Sequence, residues 1–128
     1  MTKTIVAVTG GRDFSNYRLV SSTLDSLHAG GHTLGPLCRL DLIVHGGCTG
    51  ADALADQWAL SAHVQTCVFF VTPVQWKFFG RSSGPRRNRI MLEVTCPGLL
   101  VAFPGGAGTA NCVKTARELG IEVLEITP

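Results

Sequence analysis

Three short stretches of this 128-residue sequence have the composition of anion-binding turns. They are Gly10-Gly11-Arg12-Asp13, Gly46-Gly47-Cys48-Thr49-Gly50 and Gly105-Gly106-Ala107-Gly108-Thr109. Glycine lets the backbone approach a ligand closely and tolerates positive φ. A helix starting beyond such a turn adds unpaired N–H groups and the positive end of its dipole, which together suit a phosphate. The plainer account of a single cluster is a tightened turn; three clusters of one kind favour a ligand. Gly10, Gly11, Gly46, Gly47, Gly50, Gly105, Gly106 and Gly108, with Thr49 and Thr109, are therefore the phosphate-binding candidates.

Several side chains near these turns can do chemistry, and each has a bland alternative. Arg87 and Asn88 can clamp phosphate or ribose, through a charge-assisted fork and an amide respectively, or belong to a solvated basic helix face. Arg12, just beyond the first glycine pair, can close over an anion or be a surface turn residue. Asp52 has two readings. Thr49-x-x-Asp52 fits a capping box at a helix start, and a carboxylate beside a sugar can serve as general base. Asp13 is a second carboxylate, of a type common in turns. Cys48, in a glycine loop with His45 nearby, is either a passive small residue or a nucleophile. Trp76, Phe78 and Phe79 can form a lid that stacks on a base, or pack in a core or dimer contact.

Other chemistries lack their residues. There is no GxxxxGK[ST] phosphate loop, and the first glycine turn reads GGRDF rather than GxGxxG, without an acidic residue at the ribose-binding distance. His28, His32, His45 and His63 form no ligand pattern, so neither a metal nor a cofactor is expected. The five cysteines, Cys38, Cys48, Cys67, Cys96 and Cys112, are odd in number and contain no CxxC. Free thiols in a reducing cytosol follow. The first residues lead straight into an apolar run, no stretch is long enough to span a bilayer, and a cytoplasmic protein is expected.

The elements that must carry these residues are legible as alternating runs. Apolar runs at 4–8, 42–45, 68–71, 99–103 and 121–126 read as strands. A helix follows Ser15-Asn16, an N-cap pair, with Val20, Leu24 and Leu27 at helical spacing, and Ala29-Gly30-Gly31 ends it before a loop through Gly35-Pro36. A second helix shows Ala51, Leu54, Ala55, Trp58, Ala59 and Ala62 on one face. Residues 72–84 read as irregular, Pro85 as the N1 residue of a short third helix, and Gly120 as the C′ residue of the last. Continuous apolar strands alternating with helices predict right-handed βαβ units and a mainly parallel five-stranded sheet. The expectation is one α/β domain over 1–128, a Rossmann-like three-layer sandwich, with the glycine turns at the ligand-binding edge.

Composition agrees. Hydrophobic residues make up 45% and charged residues 16%, which argues against disorder, and the 15 glycines have no three-residue period. Eleven Lys+Arg against nine Asp+Glu leave a net charge of +2, so bulk charge says little about partners. Its distribution says more: no Asp or Glu occurs between Asp56 and Glu93, a span that holds Lys77, Arg81, Arg86, Arg87 and Arg89.

Four motifs, Val-Thr-Gly-Gly-Arg-Asp-Phe (8–14), His-Gly-Gly-Cys-Thr-Gly-Ala-Asp (45–52), Gly-Pro-Arg-Arg-Asn-Arg-Ile-Met (84–91) and Phe-Pro-Gly-Gly-Ala-Gly-Thr (103–109), occur in an order that resembles the YspA/YpsA-related branch of the SLOG superfamily. The resemblance implies a Rossmann-like sheet that binds nucleotides or nucleotide-derived ligands. Similarity to the LOG proteins of the superfamily implies a dimer with the site near the interface, to which Met91-Leu92 would lend apolar contact. Among the relatives, LOG enzymes cleave the N-glycosidic bond of cytokinin nucleotides and DprA handles single-stranded DNA. Gly105, Gly106, Gly108 and Thr109 match the LOG phosphate loop, and Arg87 stands at the place of the LOG catalytic arginine. The LOG glutamate after the threonine is replaced, since Ala110, Asn111 and Cys112 follow here.

Three functions are therefore expected, in order. The first is binding of a small nucleotide-type ligand. The second is N-glycosidic hydrolysis of a nucleoside monophosphate or related nucleotide, with Arg87 holding substrate and Asp52 or Asp13 as acid/base. The third is single-stranded nucleic-acid binding through the basic and aromatic stretch 77–89.

Overall fold

The computed structural model describes residues 3–29 and 39–128. Five strands form one sheet: β1 (Ile5–Thr9), β2 (Leu42–His45), β3 (Gln65–Val68), β4 (Leu99–Ala102) and β5 (Glu122–Glu125). Their order is β3-β2-β1-β4-β5, and every neighbouring pair is parallel. The helices are α1 (Tyr17–His28), α2 (Ala51–Ala62), α3 (Pro73–Phe79), α4 (Ser83–Thr95) and α5 (Ala107–Glu118), with a 3-10 turn at Gly80–Ser82.

The layers follow from which face each apolar set covers. Val20, Leu24, Leu27, Ala55, Trp58 and Ala59 of α1 and α2 pack with Val6, Val8, Ile43 and Val101 on one side of the sheet. Met91, Leu92, Cys112, Val113 and Ala116 of α4 and α5 pack with Ala7, Val44 and Leu100 on the other. The sheet is covered on both faces, which explains why β1 and β4 are apolar at consecutive positions. This is the Rossmann-like three-layer sandwich. Asp25 fixes the contact between the first two helices by accepting the Trp58 indole N–H at 2.8 Å.

Local chemistry sets the ends. Asn16 caps α1 through its side-chain oxygen, which accepts from Leu19 N at 3.1 Å. Gly120, at φ +76°, turns the chain after α5. The proposed helix end at Gly30-Gly31 and the loop through Gly35-Pro36 lie outside the described residues.

Three expectations need correction. The third strand is Gln65–Val68 rather than 68–71, because it lies at the sheet edge with half-polar residues, and Phe69 and Phe70 follow its end. Residues 72–84 are not irregular. Thr72 and Gln75 form a capping box, Pro73 occupies the first helical position, and α3 results. Pro85 is not an N1 residue either, since α4 already begins at Ser83. Among the described residues, no helix is long and apolar enough to cross a membrane.

Candidate functional site

Chain direction across the sheet reverses between β1 and β4: β2 and β3 lie to one side of β1, β4 and β5 to the other. Ligands of open parallel sheets bind in the crevice beyond the strand ends at such a point. Gly10-Gly11 follows β1 there, and Gly105-Gly106 lies just beyond β4. The Gly46–Gly50 loop, after β2, stands beside them.

The turns are bolted to one another. Gly11 N donates to Pro104 O at 2.9 Å, while Gly11 O accepts Ala51 N at 3.2 Å. Thr49 Oγ1 donates to Arg12 O at 3.1 Å. Gly10 has no room for a side chain, since a Cβ there would overlap Ala51 Cβ and press on Phe103. Gly50, at φ +76°, faces Gly11 O and the Arg12 backbone, so it is required twice over. At Gly105 the space is taken by the Thr109 hydroxyl and Gly11 N.

The Gly46–Gly50 loop is held from below. Asp52 is buried, and its Oδ2 accepts Gly46 N at 3.1 Å and Cys48 N at 3.2 Å. Burial pushes the Asp52 carboxyl above its ordinary range, opposed by the Cys48 and Gly46 N–H groups and the charge of Arg87. The capping box expected at Thr49-x-x-Asp52 is absent. Gly50 is the N-cap, without a side-chain cap, because its positive φ turns the chain so that Asp52 reaches back to the loop amides. Gly47 N donates to His45 Nδ1 at 3.0 Å, so His45 Nε2 carries the proton toward Asp56 Oδ1, 2.9 Å away. Both ring nitrogens are committed, which leaves His45 no role as a base for Cys48.

Arg87 is not on a solvated helix face. Its Nη1 donates to Gly46 O at 2.7 Å and reaches Phe69 O at 3.5 Å and Cys48 Sγ at 3.9 Å. Its Nε donates to Asn88 Oδ1 at 2.9 Å. Asn88 is buried and donates to Asn111 Oδ1 at 3.1 Å and Gly108 O at 3.4 Å, joining α4 to the start of α5. Asp13 and the Arg12 side chain are exposed at the rim.

The start of α5 differs from everything around it. Gly106 is its N-cap with no side-chain cap, so the amides of the first turn have no intrahelical acceptor. At Gly106 and Gly108 an added Cβ would meet nothing within 4 Å, and neither has positive φ. A cleft of about 350 Å³ beside this turn is lined by Gly105, Gly106, Thr109, Ala110 and Ile126.

Chain order and motif order now bear on ancestry. The profile of the YspA, cpYpsA-related SLOG family (YAcAr) matches residues 4–72, which carry the first two glycine turns. The Gene 61 protein of Mycobacterium phage D29 is 33% identical over 126 residues, covering 93% of each chain. This chain belongs to that SLOG family. Two solved structures share the fold of this SLOG domain. DNA processing protein A (DprA) from Streptococcus pneumoniae superposes with a TM-score of 0.75 at 21% identity, over 98% of this chain and 51% of DprA. The structural-genomics target TM1055 does so with a TM-score of 0.66 at 18% identity, over 94% of this chain and 72% of that one. This SLOG chain therefore spans about half the length of the DprA structure.

Sequence reasoning brought the glycine turns, Thr49, Asp52, Arg87 and Asn88 to one edge. It missed Asn111, the Asn88 partner, and the His45–Asp56 pair, whose signal was a histidine ending a strand with a carboxylate 11 residues on. Met91 and Leu92 are not available for a dimer contact, because both are buried under the sheet; the apolar residues that α4 exposes are Ile90 and Val94. Trp76, Phe78 and Phe79 are exposed on or beside α3, so they belong to no core.

Proposed function

We propose that this SLOG domain binds a nucleotide or nucleotide-derived ligand, its phosphate seated on the amides of 106–109. One observation carries the reading: Gly106 and Gly108 lie at the sheet's reversal point, yet packing does not require glycine at either, and Gly108 sits inside the first turn of α5 without positive φ. A ligand that approaches the backbone closely supplies the reason. The interlocked Gly10, Gly11, Gly50 and Gly105 hold that edge rigid, and Arg87 and Asn88 fix Gly46 and Gly108 in register. Arg12 and Thr109 complete the rim.

N-glycosidic hydrolysis is the second reading, favoured by a buried carboxyl beside a guanidinium. Asp52, however, spends its hydrogen bonds on the loop amides, and Asn111 stands near where LOG enzymes carry glutamate. Binding without cleavage fits this arrangement better.

The test is a panel of nucleoside monophosphates, NAD and ADP-ribose, followed by thermal unfolding and by chromatography of the recovered ligand. A binder is stabilised by about 2.7 kcal/mol at a hundredfold its Kd, with the ligand returned intact. Release of free base supports the hydrolase. If no member stabilises the protein, or if Gly106→Asp leaves the response unchanged, the phosphate seat is wrong.

A further inference from the structure

Helix α3 is unusual in burying nothing. It carries Val74, Trp76, Phe78 and Phe79, yet has no buried residue. Phe78 is 77% exposed and Trp76 42% exposed. Seven of the nine large hydrophobic side chains exposed among the described residues lie between Phe70 and Val94. Packing does not hold α3 in place; its caps do. Thr72 N donates to Gln75 Oε1 at 2.8 Å, Gln75 N to Thr72 Oγ1 at 3.2 Å, and the buried Ser83 hydroxyl ties Gln75 O to α4 at 3.0 Å. The result is a short capped helix that holds aromatic rings in water.

The charge on this ridge narrows the partner. Lys77 and Arg81 form no ion pair among the described residues, whereas Arg89 is engaged by Glu93 and Glu118. Arg86 lies over the Phe79 ring, 4.2 Å from its centroid, with its Nε on Ser82 Oγ. A groove of about 630 Å³ runs beside it, lined by Phe69, Phe70, Phe79, Arg86, Arg87 and Ile90. Exposed rings alternating with free cations are what a single-stranded nucleic acid uses, the bases stacking and the phosphates meeting the charges. A second copy of the chain fits less well, because a two-fold contact across the ridge would set Lys77, Arg81 and Arg86 against their own kind.

We infer that the α3–α4 ridge binds single-stranded nucleic acid, through base stacking on Trp76, Phe78 and Phe79 and phosphate contacts from Lys77, Arg81 and Arg86. The groove adjoins the Gly46–Gly50 loop through Arg87 and Phe70, but Trp76, Phe78, Lys77 and Arg81 lie outside the glycine turns, so the inference does not depend on the reading of them.

The probes are fluorescein-labelled oligothymidylate and oligouridylate, with a duplex of equal length for comparison, followed by anisotropy across a salt series. Binding is expected to one or both single strands in preference to the duplex, with log affinity falling by about 0.7 per phosphate contact for each tenfold rise in salt. Trp76 emission is quenched on binding. The double variant Trp76→Ala/Phe78→Ala weakens binding at least about tenfold with thermal unfolding unchanged, since neither residue is buried. Trp76→Phe keeps the affinity and loses the quenching, and Arg81→Glu lowers the salt slope. No binding at low salt, preference for the duplex, or unchanged affinity in the double variant would overturn the inference. So would sedimentation as a dimer that the double variant dissolves, without oligonucleotide binding.

Discussion

Gly50 and Gly108 are both glycines at the start of a helix on the same sheet edge, and they are glycines for opposite reasons. Gly50 has positive φ and abuts the Gly11 carbonyl and the Arg12 backbone. The fold dictates it. Gly108 has ordinary backbone geometry and open space where a side chain would stand, so the fold leaves it free. The same contrast divides the whole set: Gly10, Gly11, Gly46, Gly47, Gly50 and Gly105 are filled in by neighbouring atoms, while Gly106 and Gly108 are not. Composition cannot make that distinction. The filled positions build the edge, and the open ones are where the proposed phosphate would sit.

The largest expected effect comes from exchanging alanine into the two classes. Gly50→Ala combines a disfavoured φ with a backbone collision and is expected to cost about 3 kcal/mol in urea unfolding. Gly108→Ala, in the first turn of α5, is expected to gain about 0.5 kcal/mol while weakening the nucleotide response. Equal costs at the two positions would erase the distinction.

A smaller effect concerns Asp52, which serves the filled class by anchoring the Gly46–Gly50 loop. Its carboxyl is raised by burial, so the folded state holds the proton to higher pH than the unfolded state, whose value is near 3.8. Below that pH both states are protonated and no penalty exists. As pH rises through the folded-state value, ionisation costs stability. Asp52→Asn cannot ionise, and its carbonyl oxygen can accept both loop amides, which meet a single carboxylate oxygen in the wild type. The variant is therefore expected to match the wild type in acid and to gain on it as pH rises, with the difference levelling off. A variant that loses stability equally at every pH would mean that Asp52 is only a packing group.

Much of the fold was readable because strands covered on both faces stay apolar at successive positions, as Leu42-Ile43-Val44 and Leu99-Leu100-Val101-Ala102 do. Sequence pattern and structure differ where burial and hydrophobicity part company. Phe69 and Phe70 are apolar but lie beyond the sheet, while Gln65 and Thr66 form its exposed edge strand. Helix α3 escaped notice because a helix that buries no face leaves no periodic stripe; only Thr72-Pro73-x-Gln75 announced it. Periodicity also could not orient α4, so Met91 and Leu92 were assigned to the surface that Ile90 and Val94 occupy. At the site, residue types and order sufficed to gather Arg87, Asn88 and the glycine turns. The Asp52 role depended on the sign of φ at Gly50, and the Asn88–Asn111 bond on the packing of α4 against α5, neither of which is written in local spacing.

The proposed phosphate seat is formed by the open glycines at the start of α5. It is tested most directly by following backbone amide resonances of the labelled protein during titration with the nucleotide that stabilises it best. The largest shifts are expected at Gly106, Ala107, Gly108 and Thr109, with smaller ones at Gly46 and Arg12. Saturable binding that shifts other amides and leaves these four in place would contradict it.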